Sequence, residues 1–523
     1  MAKPSTLAFV QQSLALHDAG RSDEAMARLN RLLMDRPKDI LGLMGMARVL
    51  NRVGRPAQAL TYGEKLLKLA PQLADTHQEL AESHCRLRQF DEALKHAKRG
   101  MAIAPRNPDM LYVAATVYER LERYEDAIAC IKTALKIRPR HMQSRLLLAS
   151  NLRSAGKLEE CATLCREIFA EDPDNFFVQN IYNRAVKFTE DDPIFLYLRD
   201  VMVPAVRKAG GQYHGPLLKF LAKAEDDLGH YDLAIQLFAE AKEADGKKHE
   251  GPAYLRFVND MTGMTRADFF GRIGAEGETP VFIVGLPRCG STLLEQILSS
   301  HPRIDGIGES GLMRGIRDHL RVGDNEGAKL VEAIRGLTPA KAQEAGGHYL
   351  QKSNEAANGA LRIVDKNLHN FELLGLAARI LPGVRVLHAT RDPMDHCVSM
   401  YMQPLNDWHS YTQDFTSLGR YFIQYRRLME HWSKVLPIPI MEVPYEQVVA
   451  DTEGMARKVI DFLGLPWDDA CLDFQKNEKR VKTLSVAQVR QPVYTTSVKR
   501  WKRYEAALDP LKEELKGFYP DGF

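Results

Sequence analysis

A glycine-rich loop in the second half of the chain contains the residue types that bind a phosphate-like anion. In residues 280–298, Gly285 and Gly290 lie between an apolar run and a helical pattern, at the spacing of the phosphate loop of nucleotide triphosphatases. Backbone N–H groups of such a loop, together with the N-terminus of the next helix, attract negative charge. Ser291 stands where that motif has its lysine, and the basic residue, Arg288, lies inside the loop. Because the lysine binds the β- and γ-phosphates, the pattern argues against a standard ATPase or a kinase.

A second anion site is indicated about 100 residues further along the chain. Residues 384–399 contain a strand-like run that ends near Arg391, followed by a helix that Pro393 is well placed to begin and that carries Ser399. An arginine fork, a serine hydroxyl and helix N–H groups together suit a phosphate. An arginine–aspartate pair after a strand could also be a structural salt bridge, but two such loops within one α/β pattern favour two anion sites.

These two segments resemble the signatures of the sulfotransferase family, and the resemblance covers about residues 279–505. It implies a P-loop-like parallel α/β domain that uses PAPS (3′-phosphoadenosine 5′-phosphosulfate) as co-substrate. Arg391 and Ser399 would bind the 3′-phosphate of PAPS. Asp365 could mimic the metal-binding aspartate of nucleotide triphosphatases, but the resemblance implies no metal ion. The implied contacts of the first loop to the 5′-phosphosulfate are Arg288, Cys289, Gly290, Ser291 and Thr292.

Four shorter segments are similar to the tyrosylprotein sulfotransferase branch of that family. The resemblance implies that Glu309 is the general base, that Lys366 steadies charge on the transferring group, and that Tyr445 contacts the cofactor. In the C-terminal loop it implies a role for Ser497 near the reacting centre. Basic residues of the same loop that could reach the 3′-phosphate are Lys499, Arg500 and Lys502.

The proposed catalytic residues match what sulfuryl transfer requires. An acceptor oxygen attacks sulfur in line while the phosphate leaves. Arg288 and Lys366 would offset the developing negative charge, Glu309 would take the acceptor proton, and Ser497 completes the set. Glu309 could instead be a structural carboxylate at a helix N-terminus. Rival bases, each more often a structural residue, are His301, His369 and His396.

Several positions depart from the branch pattern and leave the acceptor open. Leu312 stands where an arginine holds an acidic peptide, although Arg314 or Arg317 could replace it. Gln403 stands where an arginine often supports the 3′-phosphate. Cys289, in place of a serine, is either neutral or a reactive thiol. A protein tyrosine is therefore one acceptor beside a glycan, a lipid and a small phenol.

The elements that precede these motifs form a 34-residue repeat. Each period ends in a proline and carries a small residue twelve positions earlier. The pattern resembles the tetratricopeptide repeat, in which pairs of antiparallel helices stack into a solenoid with a concave groove. Such a groove suits a protein or peptide partner. The predicted repeats are 6–39, 40–73, 74–107, 108–141 and 142–175.

The predicted fold class is therefore α plus α/β, a tetratricopeptide α-solenoid followed by a P-loop-like parallel α/β sulfotransferase domain. The repeats occupy residues 1–175. A helical connector, with a sixth, partial repeat near residues 229–234, occupies 176–270. The sulfotransferase domain occupies 279–523.

The composition excludes several other classes of protein. Of the 523 residues, 45% are hydrophobic and 27% are charged, which excludes a largely disordered chain. The net charge of +3 gives no case for nucleic-acid binding, no apolar run is long enough to span a membrane, and the N-terminus lacks a signal-peptide pattern. Seven scattered cysteines without a C-x-x-C pair favour a reducing cytoplasm and disfavour a zinc site.

The expected function is transfer of a sulfuryl group from PAPS to an acceptor hydroxyl, with protein tyrosine as one candidate. The repeats would bind the acceptor or a partner. The alternative is a repeat-based protein-binding scaffold whose sulfotransferase-like domain is inactive. The intact residues that favour the enzyme are Arg288, Glu309, Lys366, Arg391 and Ser399.

Overall fold

The computed structural model of the chain divides into two compact units, Met1–Lys187 and Phe188–Phe523. The predicted catalytic residue Ser497 lies outside the described residues. The structure describes residues 5–246, 249, 251–357, 359–405, 407–476 and 498–523.

The first unit is a series of antiparallel helix pairs, which confirms the predicted tetratricopeptide solenoid. Each predicted period contributes one pair that packs on the next. The small residue in the second helix of each pair, such as Ala59, is fully buried, because only a short side chain lets the two helices approach closely. The helices are α1 (Thr6–Asp18), α2 (Ser22–Asp35), α3 (Ile40–Arg52), α4 (Pro56–Leu69), α5 (Ala74–Arg86), α6 (Phe90–Ile103), α7 (Pro108–Arg120), α8 (Tyr124–Ile137), α9 (Met142–Ser154), α10 (Leu158–Glu171) and α11 (Phe176–Asn183).

The second unit begins with helices that precede its sheet. They are α12 (Pro193–Tyr197), α13 (Val203–Ala209), α14 (His214–Leu228), α15 (Tyr231–Asp245) and α16 (Gly251–Thr262), with a π-helical turn at Leu198–Met202 between α12 and α13. Helices α14 and α15 pack against each other as a hairpin. Lys242 of this hairpin donates from Nζ to the carbonyl oxygen of Thr412 at 2.5 Å, which attaches the hairpin to the remainder of the unit.

A parallel sheet forms the centre of the second unit. Over the described residues, it consists of β1 (Pro280–Val284), β2 (Ile304–Gly308), β3 (Arg362–Asp365), β4 (Arg385–Thr390) and β5 (Ile440–Pro444). The strand order is β2-β3-β1-β4-β5, and every neighbouring pair is parallel. In the centre, Val281 is in register with Val364 on one side and Arg385 on the other. All of β1 is buried, as expected for a parallel sheet whose two faces are covered by helices.

Helices and short turns connect the strands and cover the sheet. The helices are α17 (Ser291–Ser299), α18 (Leu312–His319), α19 (Gly327–Arg335), α20 (Pro339–Ala356), α21 (Leu374–Ile380), α22 (Pro393–Tyr401), α23 (Phe415–Val435), α24 (Tyr445–Ala450), α25 (Thr452–Phe462) and α26 (Asp509–Leu515). The 3-10 turns are Arg266–Phe269, Leu368–Leu373, Asp407–Thr412, Asp469–Cys471, Phe474–Lys476, Arg500–Ala507 and Lys516–Phe518. Side chains of α17 and α25, including Leu294 and Val459, pack on Val281 and Ile283 of β1 in one apolar core. In the part of the chain that the structure describes, no helix has both the length and the apolarity to cross a membrane.

Candidate active site

Four of the five strands of the sheet end immediately before a predicted site residue, and β1 ends immediately before the glycine-rich loop. Because the strands are parallel, their carboxyl ends lie along one edge of the sheet, which is where open α/β sheets bind ligands. The structure therefore brings the predicted motifs, which are far apart in sequence, to one edge. The segments that follow β1 to β5 in turn are the loop 285–290, Glu309, Lys366, Arg391 and Tyr445.

The loop after β1 has a backbone that only glycine allows at two positions. Gly285 has a φ of 155°, and a Cβ there would lie 2.6 Å from the carbonyl oxygen of Ala389. Gly290 has a φ of 89°, and a Cβ there would lie 2.5 Å from Cδ2 of the Tyr445 ring. Between them Arg288 adopts a φ of 73°, a conformation that costs energy for a residue with a side chain. Such strain is typical of loops that bind a ligand.

The end of the loop forms the N-terminus of α17. Gly290 is the cap residue of this helix, and its first turn begins with the buried residues Ser291 and Thr292. The first N–H groups of a helix have no acceptor within the helix and attract an anion. Cys289 is buried, and its burial raises the pKa of the thiol above the usual range. Of the two expectations for Cys289, the structure favours a packed, unreactive thiol.

His396 supports the loop from α22. Its Nε2 lies 2.9 Å from the carbonyl oxygen of Pro287. Burial, with a smaller effect of Arg391, lowers the pKa of His396 to about 3, so the ring is neutral and Nε2–H donates to that carbonyl. A histidine with this pKa is a poor general base near neutral pH.

The other two histidine candidates also have structural surroundings. His301 uses both ring nitrogens, because Nε2 lies 2.9 Å from the carbonyl oxygen of Pro466 and Nδ1 accepts from the backbone N–H of Arg303. Burial lowers the pKa of His369 to about 3, and its ring packs 5.2 Å from that of His409. Among the four candidates, Glu309 is the one whose side chain is largely exposed.

Lys366 lies between two carboxylates of different exposure. Its Nζ is 3.0 Å from Glu295 Oε2 and 3.7 Å from Glu309 Oε1. The side chains of Lys366 and Glu295 are 1% and 4% exposed, whereas that of Glu309 is 57% exposed. Burial raises the pKa of Glu295, and the charge of Lys366 opposes this shift. Sequence reasoning missed Glu295, although a carboxylate on the apolar face of α17 was a signal that it needs a buried partner.

A buried aspartate connects the segments that carry Glu309 and Lys366. Asp365 Oδ2 accepts from Ser310 Oγ at 2.6 Å and from Tyr349 OH at 2.9 Å, and Oδ1 accepts from the backbone N–H of Asn367 at 3.1 Å. Burial raises the pKa of Asp365 to about 6, against the effect of these hydrogen bonds. Asn367 also donates from Nδ2 to the carbonyl oxygen of Ser310. The ends of β2 and β3 are thus held together directly behind Glu309.

A cavity of about 350 Å³ lies beside the loop. Arg288 Nε donates to Ser399 Oγ at 3.4 Å, and Arg391 Nη1 donates to the carbonyl oxygen of Arg288 at 3.3 Å. The Arg391 guanidinium lies 5.0 Å from the centre of the Tyr445 ring. The structure therefore brings these four predicted donor-binding residues together, and Gln403 lines the same cavity.

The C-terminal segment supplies further cations to this cavity. Arg500 lines it and pairs with Asp226 of α14 at 2.5 Å. Arg503, which sequence reasoning missed, also lines it. Lys502 is outside the lining formed by the described residues, and its Nζ lies 5.5 Å from the centre of the Trp501 ring. Sequence alone could not separate Arg503 from Lys502, because the difference depends on how the 3-10 turn packs against α14 and α15.

Two arginines of α18 differ in their availability to an acceptor. Arg317 is buried and pairs with Asp318 at 2.7 Å and with Asp324. Arg314 instead lies over the ring of Trp408, 3.9 Å from its centre, and Trp408 is 47% exposed. Of the two, Arg314 is therefore better placed to replace the arginine that the branch pattern has where this chain has Leu312.

The fold and the site define a P-loop-like parallel α/β domain preceded by tetratricopeptide repeats. Residues 280–469 match the family described as "Sulfotransferase family". Residues 112–176 match "Tetratricopeptide repeat", and residues 53–134 match "Anaphase-promoting complex, cyclosome, subunit 3". The chain thus carries a C-terminal sulfotransferase-family domain and N-terminal tetratricopeptide repeats, which confirms both resemblances.

Individual proteins are similar to longer or shorter parts of the chain. A protein of Aquifex aeolicus, described as uncharacterized, is 32% identical over 380 residues, which are 70% of this chain and 49% of that protein. Protein-tyrosine sulfotransferase of Drosophila melanogaster is 25% identical over 243 residues, 42% of this chain and 46% of that protein. Protein-tyrosine sulfotransferase 1 of Danio rerio is 27% identical over 240 residues, 42% of this chain and 65% of that protein. The chain therefore spans about half the length of the first two relatives.

Among solved structures, a thermophilic tetratricopeptide-repeat protein of Thermus thermophilus is 24% identical with a TM-score of 0.31. That similarity covers 34% of this chain and 96% of the Thermus chain. YrrB, described as a TPR protein with an unusual peptide-binding site, is 18% identical with a TM-score of 0.28, and the similarity covers 40% of this chain and 96% of the YrrB chain.

Proposed function

We propose that this protein transfers a sulfuryl group from PAPS to an acceptor hydroxyl. The observation that carries the proposal is the meeting of three features at one sheet edge. These are the strained anion loop, the Glu309–Lys366 pair, and the cavity lined by Arg391 and Ser399. The family match over residues 280–469 supports the same chemistry.

The residues present fit a donor with two separate phosphate groups. One anion position is the loop and the N-terminus of α17, and the other is the basic cavity beside it. Arg288 belongs to both, because its backbone lies in the loop and its Nε contacts Ser399. Arg391 is in turn held against Tyr445, whose ring packs on Gly290. When bound, PAPS would supply an activated sulfuryl group at this edge.

The chain's own residues would bind the donor, take a proton and stabilise charge. Glu309 is exposed, so an acceptor hydroxyl from solvent can reach its carboxylate and transfer a proton to it. Lys366 lies 3.7 Å from that carboxylate and offers a fixed positive charge to the transferring group. Arg288 would stabilise charge on the leaving phosphate. No metal ion has a part in this proposal.

The acceptor we propose is a hydroxyl on a protein or peptide, with tyrosine as the first candidate. Two relatives named as protein-tyrosine sulfotransferases are similar to this chain over 243 and 240 residues. Arg314, stacked on the exposed Trp408, offers a cation and an aromatic surface for an acidic or aromatic segment. The tetratricopeptide repeats would bind the acceptor or a partner. Because all seven cysteines are free thiols, we also propose a cytoplasmic location.

Transfer of labelled sulfate from PAPS to a host-cell lysate tests the proposal. We expect wild-type protein to label a discrete protein band. Glu309→Gln and Arg288→Ala should each reduce the label by about 10²–10⁴-fold. Lys516→Ala is the matched control, because Lys516 is an exposed lysine that pairs with Glu513.

Other outcomes would redirect the assignment. Label on a glycan or a lipid would change the acceptor. Tight binding of adenosine 3′,5′-bisphosphate (PAP) without any transfer would favour the inactive scaffold. Binding of ATP in place of PAP would overturn the sulfotransferase proposal.

A further inference from the structure

The hairpin of α14 and α15 lies outside the residues that match the sulfotransferase family, yet it forms part of the basic cavity. Lys223, Asp226 and Asp227 of α14 line that cavity together with Arg288, Arg391 and Ser399. Asp226 accepts hydrogen bonds from Arg500 and from the Tyr504 hydroxyl. The C-terminal 3-10 turn, Arg500–Ala507, is thus anchored on the hairpin beside the cavity.

The cations that the hairpin and the C-terminal turn contribute to the cavity differ in whether a carboxylate already pairs with them. Arg500 pairs with Asp226 at 2.5 Å, and Lys223 pairs with Asp227 at 2.5 Å. Arg503 has no ion pair with any residue that the structure describes. Its guanidinium lies 5.6 Å from the centre of the Tyr231 ring, at the start of α15. Among the described residues that the hairpin and the C-terminal turn contribute to the cavity, Arg503 is therefore the cation whose charge is left for a ligand.

We propose that the hairpin is part of the donor site: Tyr231 positions Arg503, and the Arg503 guanidinium binds the 3′-phosphate of the donor. This inference rests on the proposed function. A ring face orients a guanidinium while its N–H groups stay available for a phosphate. The 3′-phosphate distinguishes PAPS from common adenine nucleotides, so a charge-assisted contact at this point contributes to donor selectivity.

Binding of PAP and of adenosine 5′-phosphate to the full chain, measured by calorimetry, tests the role of Arg503. We expect Arg503→Ala to weaken PAP binding by about 10–100-fold and to leave adenosine 5′-phosphate binding unchanged, because the latter lacks the 3′-phosphate. Arg503→Lys, which keeps the charge but not the planar guanidinium, should recover only part of the PAP affinity. Lys516→Ala again controls for the loss of one positive charge from the C-terminal segment.

Amide hydrogen exchange tests the role of the hairpin itself. In wild-type protein, PAP should slow exchange in residues 214–245 more than adenosine 5′-phosphate does, and Arg503→Ala should abolish that difference. Equal PAP affinities of wild type and Arg503→Ala, or hairpin exchange unaffected by PAP, would overturn the inference while the proposed function stands. If wild-type protein does not bind PAP, both the proposed function and this inference are overturned.

Discussion

At the scale of single residues, the chemistry depends on the different surroundings of a few charged groups. Glu309 and Lys366 were predicted, because each follows a strand in a motif that resembles the family. Glu295 was not predicted, because nothing near it in sequence shows that a lysine about 70 residues away will enter the apolar core beside it. A pair of buried charges is specified by tertiary packing, and local patterns do not report it.

Replacing each carboxylate beside Lys366 should separate stability from activity. Among the described residues, Glu295→Gln leaves the fully buried Lys366 with only the more distant Glu309, and we expect a loss of about 3 kcal/mol in the free energy of unfolding. Glu309→Gln removes an exposed partner and should change stability by less than about 1 kcal/mol, while sulfuryl transfer falls by about 10²–10⁴-fold.

Denaturation monitored by tryptophan fluorescence measures the stability of both variants, because all four tryptophans lie in the second unit. Equal stability of Glu295→Gln and wild type would show that the buried pair has little net effect. Full activity of Glu309→Gln would exclude it as the base.

Asp365 should give the second unit a pH-dependent stability. Burial raises the pKa of Asp365 to about 6 in the folded protein, from 3.8 in the unfolded chain. The folded state therefore binds a proton more tightly, and the resulting stabilisation is complete below about pH 4 and lost as the pH rises through 6. We expect the unfolding free energy of wild type, relative to Asp365→Asn, to decrease by about 2 kcal/mol between pH 4 and pH 7. Tryptophan fluorescence at several pH values measures the difference, and a constant or rising difference would contradict the raised pKa.

At the scale of elements, the sequence predicted which repeats and strands exist more reliably than it predicted which elements pack against each other. The 34-residue period identified the helix pairs, because each pair mainly contacts the next pair and local pattern suffices. The apolar run at 281–284 likewise predicted β1. The order β2-β3-β1-β4-β5 and the packing of α14 beside the C-terminal turn involve long-range contacts, which a single sequence does not display.

Different residues adopt the same left-handed backbone conformation in the turn within each repeat. Gly54 has a φ of 78°, whereas Arg88, one period later, has a φ of 62°. A left-handed backbone is favourable only for glycine, so Gly54→Ala should destabilise the first unit by about 1 kcal/mol. Arg88→Gly should have the opposite, smaller effect, because the added glycine also raises the entropy of the unfolded chain.

Far-ultraviolet circular dichroism reports the helices of both units, and tryptophan fluorescence reports the second unit alone. The expected result is a shift in the first signal without a shift in the second. A shift of equal size in both signals, or stabilisation by Gly54→Ala, would contradict this account of the turn.

At the scale of the whole molecule, the hairpin of α14 and α15 belongs structurally with the sheet domain. Lys242 bonds to Thr412, and Asp226 bonds to Arg500 and Tyr504, so the hairpin is attached at two places. The contacts also place the hairpin in the same compact unit, Phe188–Phe523. A domain boundary drawn at the family match would cut through these bonds.

Two fragments should therefore differ in donor binding although both contain the complete sheet. A fragment of residues 188–523 should bind PAP as tightly as the full chain, because every residue that lines the basic cavity is present. A fragment of residues 271–523 lacks α14 and α15. It leaves Arg500 without Asp226, and should bind PAP at least about 10-fold more weakly. Its unfolding midpoint should also be lower.

The comparison of the two fragments also tests the function of the repeats. If residues 188–523 bind PAP normally and sulfate a small phenol, but no longer label the protein acceptor of the full chain, the first unit supplies acceptor binding and the second supplies catalysis. If residues 188–523 fail to bind PAP, the donor site requires the first unit as well. If residues 271–523 bind PAP as tightly as residues 188–523, the hairpin has no part in the donor site, and the basic cavity must be completed by the sheet domain alone.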